Sequence, residues 1–506
     1  MVGTNVSDWN ESECQDNHFH SERVQGVETP LDCFKLFLSE EFIDLTVAES
    51  RKYAQQQNQP RKVDKVTHDT VWATMAIILM TGYNSVPNWR MYWAQKPDLH
   101  NEMISMAIRR DTCEDVLSVL HFTDNEDKTV RSDKFHKVRP IFDIINSASK
   151  KYLPITEYVS VDEMMVPYFR KSPWKQFIKG KPIRSGFKLW ALCSSDGYTI
   201  HIEPYAGSST QLPDYGLGQG PNVVLGLVEK SPQIVRSGSK IICDNLFTSI
   251  PLAAKLSEKG MGLIGIVNAN RLVSTPILEP KTFAKKHVRG EYVTYFTEDV
   301  SLTAWMDNKS VTILSNIDYG TTLATCDRWV KDPNTQRSRK TRFPVPQVVK
   351  TYNRYMGGVD LVDSQVAVYR SNVRKNKWWF SIFTTGVSIM CVNAWRLWNT
   401  LHPSPKMPYI DFVREVCVSI LSIHKEPRVH PGPLPTLRVN ASELRFDRMD
   451  HLIIKTEVRG VCQECRIQGH GKTSKDEKRT FYRCEKCDVA VHPHCFKNYH
   501  TYSNGE

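Results

Sequence analysis

From Pro30 the apolar residues recur at helical spacing: Leu31, Phe34, Leu38, Phe42 and Leu45 share one face of a helix. The same period predicts helices through 70–80, 101–120 and 135–152, with Trp72, Trp89 and Trp93 as core anchors. Residues 1–29 carry no such period; they are polar and rich in Ser, Asn and Glu, and read as a disordered tail. Beyond Pro154 the pattern changes. Residues 157–167, 186–194 and 198–205 read as strands, the last two joined by the turn Ser195-Asp196-Gly197. Short buried strands follow at 240–243 and 263–267, with helices at 223–230 and 251–259, the second stopping at Gly260. This order implies a mixed α/β sheet with helices on its faces. Residues 279–347 break it with short strands (290–296, 310–315) and basic loops, notably Arg337–Arg342. Helices resume at Val348 and run to about His424; the Pro-rich stretch 427–435 reads as a linker.

One stretch, 378–398, is about as long as the roughly 20 residues that span a bilayer. It carries Asn393, Arg396 and several hydroxyls, and no second span accompanies it, so a helix buried in a protein core is expected and no membrane partner. The 506 residues suffice for several domains, and 41% hydrophobic content allows ordinary cores. A net charge of +11 favours an anionic partner, nucleic acid before an anionic membrane surface. The acidic, polar opening has no apolar stretch of the kind a secretory leader needs. Of 13 cysteines, those before residue 420 are scattered singly and the rest crowd in pairs near the end. That distribution points to reduced thiols plus a metal module, in the cytosol or nucleus.

Three aspartates are the candidate chemistry. Asp162 (in Val161-Asp162-Glu163) and Asp244 (after Lys240-Ile-Ile-Cys243) lie near the ends of β-branched runs; Asp360 follows Gly357-Gly358 and opens a helix. Each alone is as easily a cap or a solvated residue. Together they can converge at strand carboxyl ends, where open α/β sheets bind ligands. Carboxylates from distant segments suit a divalent metal for phosphoryl transfer, because Mg2+ takes hard oxygen ligands and keeps positions open for substrate.

The blocks around these aspartates carry more. Cys243-Asp-Asn-Leu-Phe-Thr-Ser-Ile-Pro-Leu-Ala253, Gly357-Gly-Val-Asp-Leu-Val-Asp363, Lys181-Pro-Ile-Arg-Ser-Gly-Phe-Lys-Leu-Trp190, Glu203-Pro-Tyr-Ala-Gly207 and Arg374-Lys-Asn-Lys-Trp378 resemble the piggyBac family of DNA transposases, over about 30–500. The resemblance implies an RNase H-like core (157–278 and 348–365) with a β-rich insertion (279–347). It implies a split helical dimerisation and DNA-binding domain (30–156 and 366–426), a linker (427–457) and a cysteine-rich domain (458–500). It implies that Asp162, Asp244 and Asp360 hold catalytic Mg2+ (or Mn2+), with Asp363 in the same block. Asp363 falls three residues after Asp360, on the same helix face. One metal would activate water or a DNA 3′-hydroxyl and the other would stabilise the leaving oxygen. The implied reaction is cut-and-paste transposition of double-stranded DNA through hairpin ends into TTAA targets, by a nuclear homodimer. The alternative is a transposase-derived DNA-binding protein that no longer moves DNA.

Cations flank the aspartates: Lys181, Arg184 and Lys188 after Asp162, and Arg374, Lys375 and Lys377 after Asp360. They suit phosphate backbone contacts. At the end of the chain, Cys462-x-x-Cys465 and Cys484-x-x-Cys487 with His492, Cys495 and His500 give seven ligands for tetrahedral Zn2+. A cross-brace of two zincs needs an eighth, for which His470 and His494 are the candidates. Such a module also occurs in readers of histone tails and in ubiquitin ligases; in the piggyBac family it binds transposon-end DNA, and Lys472, Lys475, Lys478, Arg479 and Arg483 agree with that.

Overall fold

A reciprocal cap forms at Thr29. Its hydroxyl accepts from the Asp32 amide at 3.2 Å, and the Asp32 carboxylate accepts from the Thr29 amide at 2.9 Å. This cap and Pro30 start α1, Pro30–Lys35. The computed structural model describes residues 24, 26–127, 132–152, 156–272, 275–277, 279–318, 320, 322–331, 337–426, 450–467 and 478–501. Most of the expected tail (1–29), residues 427–449 of the expected linker, and His470, Lys472 and Lys475 lie outside the described residues.

The described residues fall into two units, one within Met1–Trp89 and Met106–Glu426, the other within Arg90–Ser105 and Pro427–Glu506. In the first, α2 (Glu40–Gln56) and α3 (Pro60–Val63) precede α4 (His68–Tyr83). A Thr67–Thr70 capping box starts α4, and every residue from Thr70 to Thr81 is buried, so the helix is a core element on all sides. The predicted helix over 101–120 divides into α5 (Glu102–Ala107), most of which belongs to the second unit, and α6 (Arg110–Val119); α7 (Arg139–Tyr152) follows. Trp72 and Trp89 are buried as expected, whereas Trp93 is only partly so.

The sheet strands are β1 (Tyr158–Pro167), β2 (Gln176–Phe177), β3 (Ser185–Ser194), β4 (Thr199–Pro204), β5 (Lys240–Cys243), β6 (Gly262–Ile266), β7 (Tyr292–Phe296), β8 (Ser301–Met306) and β9 (Ser310–Ser315). Their order is β2-β3-β1-β5-β6-β9-β8-β7, with β4 also paired to β3. β1 is antiparallel to β3 and parallel to β5, and β5 is parallel to β6. Helices α8 (Gln219–Glu229) and α9 (Ile250–Glu258) connect these parallel strands. The interrupting segment contains one helix, α10 (Pro280–Lys286); its strands β7 to β9 extend the main sheet through β6. Arg337–Arg342 was expected in a loop. Ser338–Pro346 is instead the strand β11, paired with β10 (Leu323–Lys331), because alternate side chains on both strands can stay solvated.

Helices α11 (Gln347–Tyr355), α12 (Gly358–Val368), α13 (Trp378–Leu401) and α14 (Tyr409–Ile423) complete the unit. No described helix is long and apolar enough to cross a membrane. α13 is buried along most of its 24 residues, and its polar group has a specific use. The Asn393 side chain accepts from the Thr199 amide and donates to the Thr199 carbonyl, both at 2.9 Å, and donates to Ser149 Oγ at 2.9 Å. Asn146 on α7 repeats this at Ile202, accepting from the amide at 2.8 Å and donating to the carbonyl at 3.0 Å. Two amide side chains thus complete the free edge of β4.

In the second unit, β12 (Ile453–Val461), β13 (Arg479–Cys484) and β14 (Val489–Ala490) form a three-stranded antiparallel sheet with the short helices α15 (Gln463–Ile467) and α16 (Pro493–His500). β12 pairs with β13 from Ile453, inside the stretch expected to be linker. The core of this unit is Cys462, Cys484, Val491, Cys495 and Tyr499, too little apolar surface to hold a fold alone.

Asn393→Leu keeps the size of the side chain and removes both bonds to Thr199. Each orphaned buried backbone group costs about 1–3 kcal/mol, so urea unfolding of the variant is expected to show a loss of a few kcal/mol with an unchanged denaturant slope. Wild-type stability in the variant would refute the edge lock.

Candidate carboxylate centre and Cys/His metal centre

The parallel register of β1 and β5 ends at Val161 opposite Cys243. Asp162 and Asp244 are therefore the next residue on each of two adjacent strands, side by side. Asp162 was expected at a strand end. It lies in mid-strand, because β1 runs on to Pro167 against β3, where Asp162 faces Ala191. Its carboxylate accepts from the Glu163 amide at 2.7 Å. Asp244 does not cap α9, whose N-cap is Ser249; its carboxylate accepts from the Leu246 amide at 2.8 Å and holds the turn after β5.

Asp360 arrives from the other side of the chain. It sits in the first turn of α12, where a carboxylate favours the helix dipole. The helix docks backbone-first: a Cβ on Gly358 would fall 2.3 Å from the Ser194 carbonyl and 2.4 Å from Ser160 Oγ. Gly358 is thus what lets α12 lie against β1 and β3. The turn between β3 and β4 adds a second seat, since Gly197 (φ +85°) packs against Leu361 of α12. Asp363 follows one turn later on the same face.

Burial first, then Glu163 and Asp244, push the Asp162 carboxyl up to about 8, against the opposing pull of Lys181. Burial also raises Asp244, with Glu163 adding to it; and it raises Asp363, where Arg370 opposes and Asp360 reinforces. Lys181 links the set: its Nζ is 3.9 Å from Asp162 Oδ1 and 3.4 Å from Glu163 Oε1. Burial would lower its pKa, but the charges of Asp162, Glu163 and Asp360 raise it. The carboxylates are neighbours and not a closed cage: among the described residues no three of their oxygens lie within 4.8 Å of one another. Glu163 is a member that sequence reasoning quoted without a role. One of its oxygens, Oε2, is buried with no hydrogen-bond partner. Its place beside Asp162 was the available signal.

The six expected DNA-contacting cations divide by environment. Arg184 and Arg374 are exposed. Lys181 belongs to the carboxylate centre, and Lys188 lies 3.7 Å over the buried Trp190 ring. Lys377 donates to the Ser118 carbonyl at 2.9 Å, and burial with neighbouring Lys137 and Lys375 brings it down to about 8. A cleft of ≈620 Å3 is lined by Arg170, Arg370, Arg374, Lys375 and Lys377 beside Tyr168.

In the second unit two ligand groups form. Cys462, Cys465, His492 and Cys495 gather in one, and His451, Cys484, Cys487 and His500 in the other. The thiols are unbridged, with Cys465 and Cys495 sulfurs 3.7 Å apart. A tetrahedron with Zn–S of about 2.3 Å has edges of about 3.8 Å, so the spacing fits one ion per group. Along the chain the groups interleave as a cross-brace. Of the two expected candidates for the eighth position, His470 lies outside the described residues, and His494 stacks on His492 at 4.9 Å without joining either group. Among the described residues the fourth donor of the second group is His451, whose Nδ1 is 3.4 Å from Cys484 Sγ and 3.5 Å from Cys487 Sγ. It precedes the paired cysteines, so a search within the expected 458–500 module could not reach it.

The comparisons agree with this architecture. A family model described as Transposase IS4 matches residues 29–395. Human PiggyBac transposable element-derived protein 3 is 33% identical over 476 residues, which cover 94% of this chain and 77% of that protein. Human PiggyBac transposable element-derived protein 2 is 31% identical over 484 residues, 95% of this chain and 78% of that one. The cryo-EM structure of a piggyBac transposase synaptic complex with hairpin DNA shares the fold, with a TM-score of 0.68 over 92% of this chain and 95% of its own, at 22% identity. Matched over most of its length in both sequence and fold, the chain belongs to the piggyBac transposase family.

Proposed function

We propose that this protein cleaves and joins double-stranded DNA as a cut-and-paste transposase, with Asp162, Asp244 and Asp360 holding divalent metal (Mg2+ or Mn2+). One observation carries the reading: Asp162 and Asp244 stand side by side where the β1–β5 pairing ends, beneath the helix that delivers Asp360. The order β4-β3-β1-β5-β6, three antiparallel strands followed by two parallel to the first, supports an RNase H-like core. The donor set is all oxygen and rich in negative charge, which fits a hard divalent cation. Two such ions supply activation of the attacking oxygen and stabilisation of the leaving one.

The residues around that centre prepare it. Burial and mutual repulsion leave Asp162 protonated near neutrality, so metal loading displaces a proton there. Lys181 offsets part of the negative charge and suits contact with a DNA phosphate. Asp363 supports the same helix face. The basic cleft beside Tyr168 suits the DNA backbone. The substrate is read as transposon-end DNA, cut through hairpin intermediates and joined to TTAA, by a homodimer in the nucleus. The cross-braced module, loaded with two Zn2+, is assigned to the same DNA through Lys478, Arg479 and Arg483 at its β13 strand. A second reading rests on the names of the human relatives, which are transposable element-derived proteins. On that reading the fold binds DNA without moving it. A plasmid excision assay with matched transposon ends separates the two: excision supports the first, and end binding without excision supports the second.

Asp244→Ala is expected to lower strand cleavage by about 100- to 1,000-fold, on the order of a removed electrostatic contact, while end binding stays near wild type. Cleavage at an undiminished rate by the variant contradicts the assignment. A stability measurement complements it. The folded pKa of Asp162 lies above its ordinary value, so the stabilisation it gives is complete at acid pH and is lost as pH rises towards about 8. Asp162→Asn is therefore expected to raise the Tm of the metal-free chain at pH 8, by much less at pH 5, and to abolish cleavage. In the second unit, His451→Ala is expected to lose one of two Zn2+ by elemental analysis and His494→Ala neither; the reverse result would restore His494 as a ligand.

A further inference from the structure

The cleft beside Tyr168 holds a side chain for which contact with phosphates gives no use. Phe169 lines it together with Arg170, Arg370, Arg374 and Lys375. At 85% it is the most exposed large apolar residue among those described. A single exposed apolar residue is ordinary. Phe169 differs in how it is held. The residue before it is anchored three ways. The Tyr168 amide donates to the Ser185 carbonyl at 3.2 Å, its hydroxyl donates to the Asn376 carbonyl at 3.4 Å, and its buried ring packs on Phe187 at 5.1 Å.

The opposite wall is seated as firmly. A Cβ on Gly82 of α4 would fall 2.1 Å from the Tyr369 carbonyl, so the backbones touch. The Asn372 amide donates to Thr81 Oγ1 at 3.1 Å, and its side-chain amide donates to Ser85 at 2.9 Å. The phenyl ring of Phe169 thus stands in water on a fixed backbone. A second ring stands at the same end of the sheet. Phe177, 70% exposed, pairs with Ser185, whose carbonyl takes the Tyr168 amide. Both walls also lead to the carboxylate centre. β1 carries Asp162 and ends at Pro167; α12 carries Asp360 and Asp363 and ends at Val368, two residues before Arg370. The seven residues from Asp162 to Phe169 span no more than about 25 Å, or about seven base-pair steps.

The mixture of groups names the partner. The cations suit phosphates, but a regular duplex keeps its base faces stacked and offers a phenyl ring little to bury against. A base that has left the stack presents a flat apolar face beside its own phosphates, and an aromatic ring laid on it removes both surfaces from water. On the reading that this protein acts on DNA, we propose that Phe169 stacks on a base unstacked from the bound strand, so that the cleft favours distorted over regular duplex. Its part is the selection of DNA shape, away from the reacting phosphate.

The test compares two mixed-sequence duplexes, one fully paired and one with a central mismatch. Both are bound to the full chain with Mg2+ and Mn2+ withheld, so that no strand is cut. Wild type is expected to bind the mismatched duplex about 10-fold more tightly, within the range that one base–aromatic stack supplies. Phe169→Ala is expected to lose that preference while its Tm and its affinity for paired duplex stay at wild type, and Phe169→Trp is expected to keep it. Arg374→Ala is expected to weaken both duplexes equally. In wild type, 5-iodouracil at the mismatch is expected to crosslink to Phe169 under ultraviolet light, a result that needs no variant. Binding of both duplexes by wild type with equal affinity, or an unchanged preference in Phe169→Ala, overturns the inference and leaves the DNA reading in place. Binding of neither duplex overturns both.

Discussion

The free edge of β4 is the constraint on which the arrangement of the first unit depends. A strand paired on one side presents backbone groups that must bond to something. Here Asn146 and Asn393 supply the partners, one from a helix before the sheet in sequence and one from a helix far after it. Because each amide both donates and accepts, it fixes its helix in rotation and in height against the strand. The split helical parts are thereby registered to β3 and, through β3, to the strand that carries Asp162. Apolar packing alone would leave that register soft, since it has no direction.

The carboxylate centre shows the opposite economy. Its side chains are gathered against their own repulsion, with burial raising Asp162, Asp244 and Asp363 together. A fold selected for stability alone would not keep such a group, and gathered acids with perturbed titration are a mark of function. Backbone contact at Gly358 and the Gly197 turn hold α12 there without asking the acids to attract one another.

Much of this was legible in the chain. Alternation and helical period located β1, β3, β5 and β6 to within a residue or two, because those strands have one clear apolar face or are wholly apolar. The candidate carboxylates were named from short blocks such as Cys243-Asp-Asn-Leu-Phe-Thr-Ser, where the signal is local. What stayed hidden was non-local. No pattern in Lys240–Cys243 shows which strand it pairs with, so the register that sets Asp162 beside Asp244 could not be read. The polarity of Arg337–Arg342 resembled a loop, since a two-stranded ribbon can expose both faces. His451 has no neighbouring cysteine to mark it.

The lock on β4 also sets a timetable. Thr199 leaves the ribosome 194 residues before its partner Asn393, a gap of roughly 10–40 s at ordinary rates of synthesis. Asp360 is made in the same late stretch. A nascent or prematurely ended chain therefore has neither its third acid nor the brace that registers the first two. The order of the segments alone thus delays assembly of the carboxylate centre until the stretch from Asp360 to Asn393 has been made.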